Sequence, residues 1–275
     1  MGRVTGRRAV QRIDGPSRRR RMDTVAVEEP LEIRLDGRPL SVTMRTPGDD
    51  FDLVHGFLAT EGIAGSLESV RTLRYCAGTD DEGQQTYNVI DVALSEGVVV
   101  PELSLERNFY TTSSCGVCGK ASIDAIRTLS PYDVASDPTV VSTEVLWSLP
   151  ERLREQQKVF NSTGGLHAAG LFTPAGELLC LREDVGRHNA VDKVIGWAVR
   201  EDKLPLASCV LLVSGRASFE LTQKALMAGI PILAAVSAPS SLAVDLAAEG
   251  GLTLVGFLRG ETMNVYAGGQ RIRAT

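Results

Sequence analysis

The sequence predicts an α/β protein: a β-rich N-terminal region followed by a layered α/β domain with a largely parallel or mixed sheet. Three observations predict it. From Val159 onward, short apolar runs alternate with segments of helical period. Ahead of them, two strand-like runs flank Asp36-Gly37, a strong hairpin signal. The 275 residues suffice for one large or two modest domains that bury a core without staples.

The chain divides at residues 1–22, 23–140 and 141–275. The first segment carries eight arginines against one acid, Asp14, so +7 sits there and −12 on the remainder of a chain of net charge −5. Polar, Gly-containing and without hydrophobic period, it is expected to be a disordered tail. The run Arg18-Arg19-Arg20-Arg21 suits an acidic partner or nucleic acid. No aromatic residues interleave with it, so a solvated tail without a nucleic-acid partner is the expectation.

Strands are expected over Val25–Leu35, Pro39–Thr46, Val70–Cys76 and Tyr87–Leu94. A helix carrying Phe51, Val54, Phe57 and Leu58 on one stripe follows the break at Pro47-Gly48, with Asp49 or Asp50 as its cap and Gly62 as its stop. Another helical stretch carries Ile123, Ile126 and Leu129 and ends at Pro131. Thr143–Gln157 reads as a further helix. Strands then fall at His167–Thr173, Leu178–Leu181, Val210–Val213, Pro231–Val236 and Leu252–Phe257, and helices at Gly186–Arg200, Phe219–Met227 and Leu242–Ala248. No window approaches the roughly 18 consecutive apolar residues of a membrane span. The Arg-rich start lacks the apolar stretch of a secretory signal.

Five cysteines, with one close pair, are not a secreted disulfide framework, and a reducing cytoplasmic location is expected. Cys180 and Cys209 lie in apolar strand runs and read as buried structural thiols. The close pair is Cys115-Gly116-Val117-Cys118, followed by Gly119-Lys120 and a predicted helix. A helix N-terminus and an adjacent cation favour the reactive thiolate, and Gly116 and Gly119 permit unusual backbone angles. The spacing leaves sulfur carriage, dithiol–disulfide exchange and zinc binding open. Zinc needs four ligands, and no second Cys pair or paired histidines exist. The His-x-Glu element of zinc deaminases is also missing.

Three loops at strand ends combine glycine and arginine: Arg182–Asn189, Val213–Ser218 and Phe257–Thr262. Free backbone amides and guanidinium groups suit phosphate or pyrophosphate. None is a P-loop or a Gly-x-Gly-x-x-Gly motif. Asp184, His188 and Asp192, at i, i+4 and i+8, would share one helix face. That face is either an acid–base site or a capped helix with a surface ion pair. Asn161–His167 is polar and Gly-rich, either a pocket wall or a turn.

The chain resembles the FdhD family of formate dehydrogenase accessory sulfurtransferases over nearly everything after the Arg-rich segment. The resemblance rests on Thr46-Pro47-Gly48-Asp49-Asp50 with Gly56-Phe57-Leu58, Ser114–Gly119, Gly164–Ala168, Arg182–Lys193, Ser214-Gly215-Arg216 and Met263-Asn264. It implies a cytidine-deaminase-like α/β/α layered C-terminal domain and a homodimer. It implies that a cysteine desulfurase loads sulfur as a persulfide on Cys115, with Cys118 as partner. The sulfur then passes to the molybdenum of a bis(molybdopterin guanine dinucleotide) cofactor before insertion into formate dehydrogenase. Phe257, Leu258, Arg259, Gly260, Glu261 and Thr262 would contact that cofactor, and Arg187 and Arg216 are groups its phosphates require. A reading from another class is a non-enzymatic cofactor chaperone whose Cys pair holds a metal or a loop.

Overall fold

A computed structural model describes residues 4–76, 78, 86–100 and 130–274. Its architecture is mixed α/β. The chain opens with β1 (Thr5–Asp14) and β2 (Ser17–Ala26), paired antiparallel in register from Thr5↔Ala26 to Asp14↔Ser17. The disordered tail expected over residues 1–22 is therefore a hairpin. Gly15, at φ +57°, makes the reversal possible. The strand signal was hidden because the outward side chains are arginines rather than apolar residues. The ribbon buries little and is held by its backbone ladder, with its root on the helix at Lys158–Thr163.

Next come β3 (Glu29–Leu35) and β4 (Arg38–Arg45), joined at Asp36-Gly37, both with positive φ as a type I′ turn demands. With β5 (Val70–Tyr75) and β6 (Val89–Leu94) they form a four-stranded sheet ordered β4-β3-β6-β5. Leu31, Ile33, Ile90 and Val92 project from one face of this sheet onto Leu53, Val54 and Leu58 of α1 (Asp50–Thr60). Asp49 stands at the N-cap of α1 but makes no side-chain cap bond, and Gly62 ends the helix at φ +72°.

The second sheet has six strands, ordered β13-β12-β11-β10-β8-β9. Its members are β8 (His167–Phe172), β9 (Leu178–Asp184), β10 (Val210–Val213), β11 (Ile232–Ala235), β12 (Thr253–Arg259) and β13 (Thr262–Ala267). β10, β11 and β12 are parallel, while β8 and β13 run antiparallel to their neighbours. The expected mixed sheet is thus present. The interposed helices are α2 (Thr143–Gln156), α3 (Lys158–Thr163), α4 (Arg187–Arg200), α5 (Phe219–Met227) and α6 (Ser241–Glu249). Strand alternation divides the core. Leu171, Leu211, Leu233 and Leu254 face α4, α5 and α6. Phe172, Leu212, Ile232 and Val255 face Leu146, Leu149 and Leu153 of α2. A short parallel pair, β7 (Val141–Ser142) with β14 (Ile272–Arg273), ties the C-terminus to the entry of α2.

The two sheets are joined by α1 lying across α4. A Cβ on Gly56 would stand 1.8 Å from the Asp192 carbonyl oxygen, and one on Gly196 1.7 Å from that of Asp52. Only glycine at both positions permits this approach. Charged pairs lock the crossing. The Asp184 carboxylate meets Lys193 Nζ at 2.7 Å, with both side chains at or below 2% exposure, and it accepts from the Thr46 amide at 3.1 Å. Asp192 accepts from Thr60 at 3.0 Å and Lys224 at 2.9 Å. Asp52 pairs with Arg182 at 2.7 Å and Arg200 at 2.5 Å.

Candidate functional site

The parallel strands put their carboxyl ends on one rim of the six-stranded sheet, where α/β proteins bind ligands. Because β8 is antiparallel to β10, its first residue, His167, reaches the same rim, opposite Asp184 in the β8–β9 register. Hydrogen bonds then stitch successive loops together. Ser214 N donates to Ala168 O at 2.9 Å, and Ala168 N returns a bond to Ser214 Oγ at 2.9 Å. Ser237 N donates to Gly215 O at 3.3 Å, and Phe257 N to Ser237 O at 3.1 Å. Arg259 Nε donates to Val236 O at 2.9 Å.

The three Gly/Arg loops singled out in the sequence are thereby gathered on one edge. Arg216 and Arg259 are exposed there. Arg187 is half-buried, and its Nε makes no hydrogen bond among the described residues. A Cβ on Gly215 would lie 3.3 Å from His167 Nδ1 and 3.9 Å from Arg187 Cδ. The glycine therefore lets ring and guanidinium stem close over the loop. Burial first, and Arg187 second, hold His167 below its ordinary pKa. His167 is accordingly a neutral imidazole at pH 7.

Phe257 to Thr262 forms the end of β12 and its turn into β13. The register slips between Gly256 and Arg259, and Phe257 takes φ +52°. Such a conformation costs a phenylalanine roughly 1–3 kcal/mol and collects at functional positions. It turns Phe257 outward at 39% exposure, whereas Leu258 is fully buried. Gly260 and Glu261 are the two turn residues, with Thr262 Oγ1 donating to Arg259 O at 2.9 Å.

Asp184, His188 and Asp192 do not form one catalytic face. Asp184 ends β9 before α4 begins, and the two carboxylates are committed to Lys193 and Lys224. The surface ion pair considered for them is also absent, since both acids are buried. His188 stands apart, with Nε2 3.4 Å from Ser218 Oγ and 3.8 Å from Glu220. Burial, then Arg187 and Lys224, push its pKa down to about 4. Cys180 and Cys209 are buried thiols as expected, raised by burial to about 12 and about 11. Cys115, Cys118, Lys120 and the helix expected after them lie outside the described residues.

A cavity of about 630 Å³ opens beside this rim, lined by Arg154, Gln157, Phe160, Gly164, Gly165, His167 and Ser214 among others. The pocket-wall reading of Asn161–His167 therefore holds for Gly164 to His167. Phe160 and Arg154 drew no attention in the sequence. Phe160 sits in a segment too short to show a period, and Arg154 reads as an exposed helical charge.

The fold and rim define a mixed α/β protein with a Gly- and Arg-lined strand-end rim. The chain belongs to the FdhD/NarQ family, whose pattern matches residues 26–273. It is 63% identical over 273 residues to the sulfur carrier protein FdhD of Streptomyces avermitilis, covering 99% of this chain and 97% of that one. It is 58% identical over 275 residues to that of Mycobacterium tuberculosis, covering 99% and 100%. With that of Saccharolobus solfataricus it shares 46% identity over 255 residues, 91% of each chain. A solved structure from Desulfotalea psychrophila, assigned to a formate dehydrogenase accessory protein, superposes with TM-score 0.75 at 25% identity. It covers 98% of this chain and 100% of that one.

Proposed function

We propose that this protein is a sulfur carrier serving formate dehydrogenase. The observation that carries the reading is full-length similarity, up to 63% identity, to proteins named as sulfur carriers. The Cys115 thiolate attacks the outer sulfur of a persulfide on a cysteine desulfurase. A sulfur–sulfur bond forms at Cys115, and the donor cysteine leaves as its thiolate. Cys118, at the far end of the same Cys-x-x-Cys motif, is its partner. The acceptor is the molybdenum of a bis(molybdopterin guanine dinucleotide) cofactor, bound as substrate and then handed to the dehydrogenase as a homodimer's cargo in the cytoplasm.

The rim supports the acceptor part of this reading. Arg187, Arg216 and Arg259 bring three guanidinium groups to one edge, matching an anionic dinucleotide. The bulge at Phe257 gives the stretch Phe257–Thr262 an outward-turned ring beside them. The proposed fold kinship is to cytidine deaminases, consistent with helices on both faces of the sheet. Among the described residues no helix is long and apolar enough to cross a membrane.

The test is maturation in cells lacking the natural carrier. Formate dehydrogenase co-produced with Cys115→Ala should carry its cofactor yet show no formate oxidation, while wild type restores it. Full activity with Cys115→Ala would overturn the reading.

A further inference from the structure

We propose that the β1–β2 ribbon is an arm that lies in the major groove of duplex DNA and grips phosphates on both sides, without reading sequence. The activity goes beyond sulfur carriage and rests on neither the cysteines nor the strand-end rim. The pattern shared by the family starts at residue 26, where the ribbon ends.

The two strands hold seven arginines, all exposed. Among the described residues only Arg21 has an acidic partner, Asp23 at 3.0 Å. The charges of the others are free for an anion from outside. Arg12 and Arg19 stand directly opposite each other in the register. Like charges so placed destabilise a ribbon, and a bound anion relieves the repulsion. The ribbon is anchored at its root on α3, and its tip is unobstructed: a Cβ on Gly15 would meet nothing within 4 Å. The expectation of a solvated tail assumed disorder, and the paired ladder removes that premise.

The geometry selects the kind of anion. Side chains alternate across a strand, so the register assigns each arginine to a face. Arg7, Arg18 and Arg20 share one face, and Arg8, Arg12, Arg19 and Arg21 share the other. A flat acidic protein surface would engage one face alone. A ribbon sunk between two walls of phosphate uses both. The major groove of B-DNA, about 12 Å wide, admits a two-stranded ribbon. Ten residue pairs at about 3.3 Å each span about 33 Å, close to one helical turn of roughly 34 Å. The major groove of duplex RNA is too narrow. Single strands call for aromatic stacking platforms, and residues 4–26 contain no aromatic residue. The negative charge on the rest of the chain is screened within about 8 Å at physiological salt, well short of the ribbon's tip.

Fluorescence anisotropy of a labelled DNA duplex of about 20 base pairs, roughly two helical turns, titrated with the full chain, tests the proposal. Wild-type affinity should fall about a thousandfold between about 50 mM and about 200 mM salt, as roughly six phosphate contacts require. Arg12→Thr with Arg19→Thr, and separately Arg18→Thr with Arg20→Thr, should each weaken binding about a hundredfold at about 50 mM salt. Each lost contact removes roughly a decade there, and the salt dependence should flatten in step. Threonine suits a strand, so circular dichroism melts should match wild type, and lysine at either pair should retain most of the binding. Duplex RNA of the same length should bind about tenfold more weakly or worse. No binding of duplex DNA at about 50 mM salt, or equal affinity for duplex RNA, would overturn the inference. Equal affinity for polyglutamate, or losses confined to one face, would overturn it in favour of an acidic protein surface. A Thr variant that changes the sedimentation of the DNA-free chain would overturn it in favour of a second copy.

Discussion

Gly196→Ala probes the joint between the two sheets. The new Cβ would stand 1.7 Å from the Asp52 carbonyl oxygen, 2.6 Å from the Asp52 carbonyl carbon and 2.6 Å from the Gly56 nitrogen. All three are backbone atoms, so no side-chain rotation relieves the overlap. An ordinary Cβ contact begins at 3.4 Å, so α1 and α4 must separate by about 1.7 Å at the crossing. That movement also strains Asp52 against Arg182 and Arg200, and Asp192 against Thr60 and Lys224. Overpacking commonly costs about 1–3 kcal/mol and occasionally more. With backbone on both sides, a loss of about 3 kcal/mol or greater is expected. At roughly 2–4 °C per kcal/mol, the melting temperature followed by circular dichroism should fall by about 6–12 °C. Gly56→Ala should cost a similar amount. The double variant should cost less than the two together, because one parting of the helices relieves both overlaps. A Gly196→Ala protein melting within about 2 °C of wild type, with an unchanged urea midpoint, would refute the close crossing.

Two further outcomes follow from the buried charges. Lys193→Met leaves the Asp184 carboxylate fully buried without its cation. It should cost about 3–5 kcal/mol, and Asp184→Asn in the same chain should recover part of that loss; a neutral Lys193→Met would contradict it. His55, His167 and His188 are all held below their ordinary pKa, by burial first and then by neighbouring arginines. The unfolded chain therefore binds protons that the folded chain refuses as pH falls from about 6.5. Stability should drop with acidification through that window, down to about pH 4 for His188. His188→Gln should show a shallower decline in urea unfolding between pH 7 and pH 5. Identical slopes for wild type and variant would refute the contribution of His188.

The α/β alternation after Val159 was legible because strands and helices differ there in hydrophobic period, and most boundaries fall within two residues of the expected ones. The hairpin at Asp36-Gly37 was legible because only a few residue types tolerate positive φ at both turn positions. The β1–β2 ribbon was not, since arginine at the outward positions removes the apolar alternation on which strand recognition depends. Asp184 and Asp192 were misread as a shared helix face because their partners come from elsewhere in the chain. Lys224 lies 32 residues from Asp192 in sequence, and the Thr46 amide 138 from Asp184. Gly56 and Gly196 gave no local sign of a helix crossing. The loops of Arg187, Arg216 and Arg259, singled out in the sequence as glycine–arginine loops at strand ends, do share one edge of the sheet. The cavity beside them was missed in part because Arg154 and Phe160 belong to successive helices and meet across the break at Gln157.

The central claim, that Cys115 carries the sulfur, is tested most directly by intact-mass spectrometry after incubation with a cysteine desulfurase and cysteine. Wild type should gain the mass of one sulfur atom, reversible by dithiothreitol and mapped by peptide analysis to Cys115, and Cys115→Ala should gain none. No adduct on wild type, or an equal adduct on Cys115→Ala, would contradict the account.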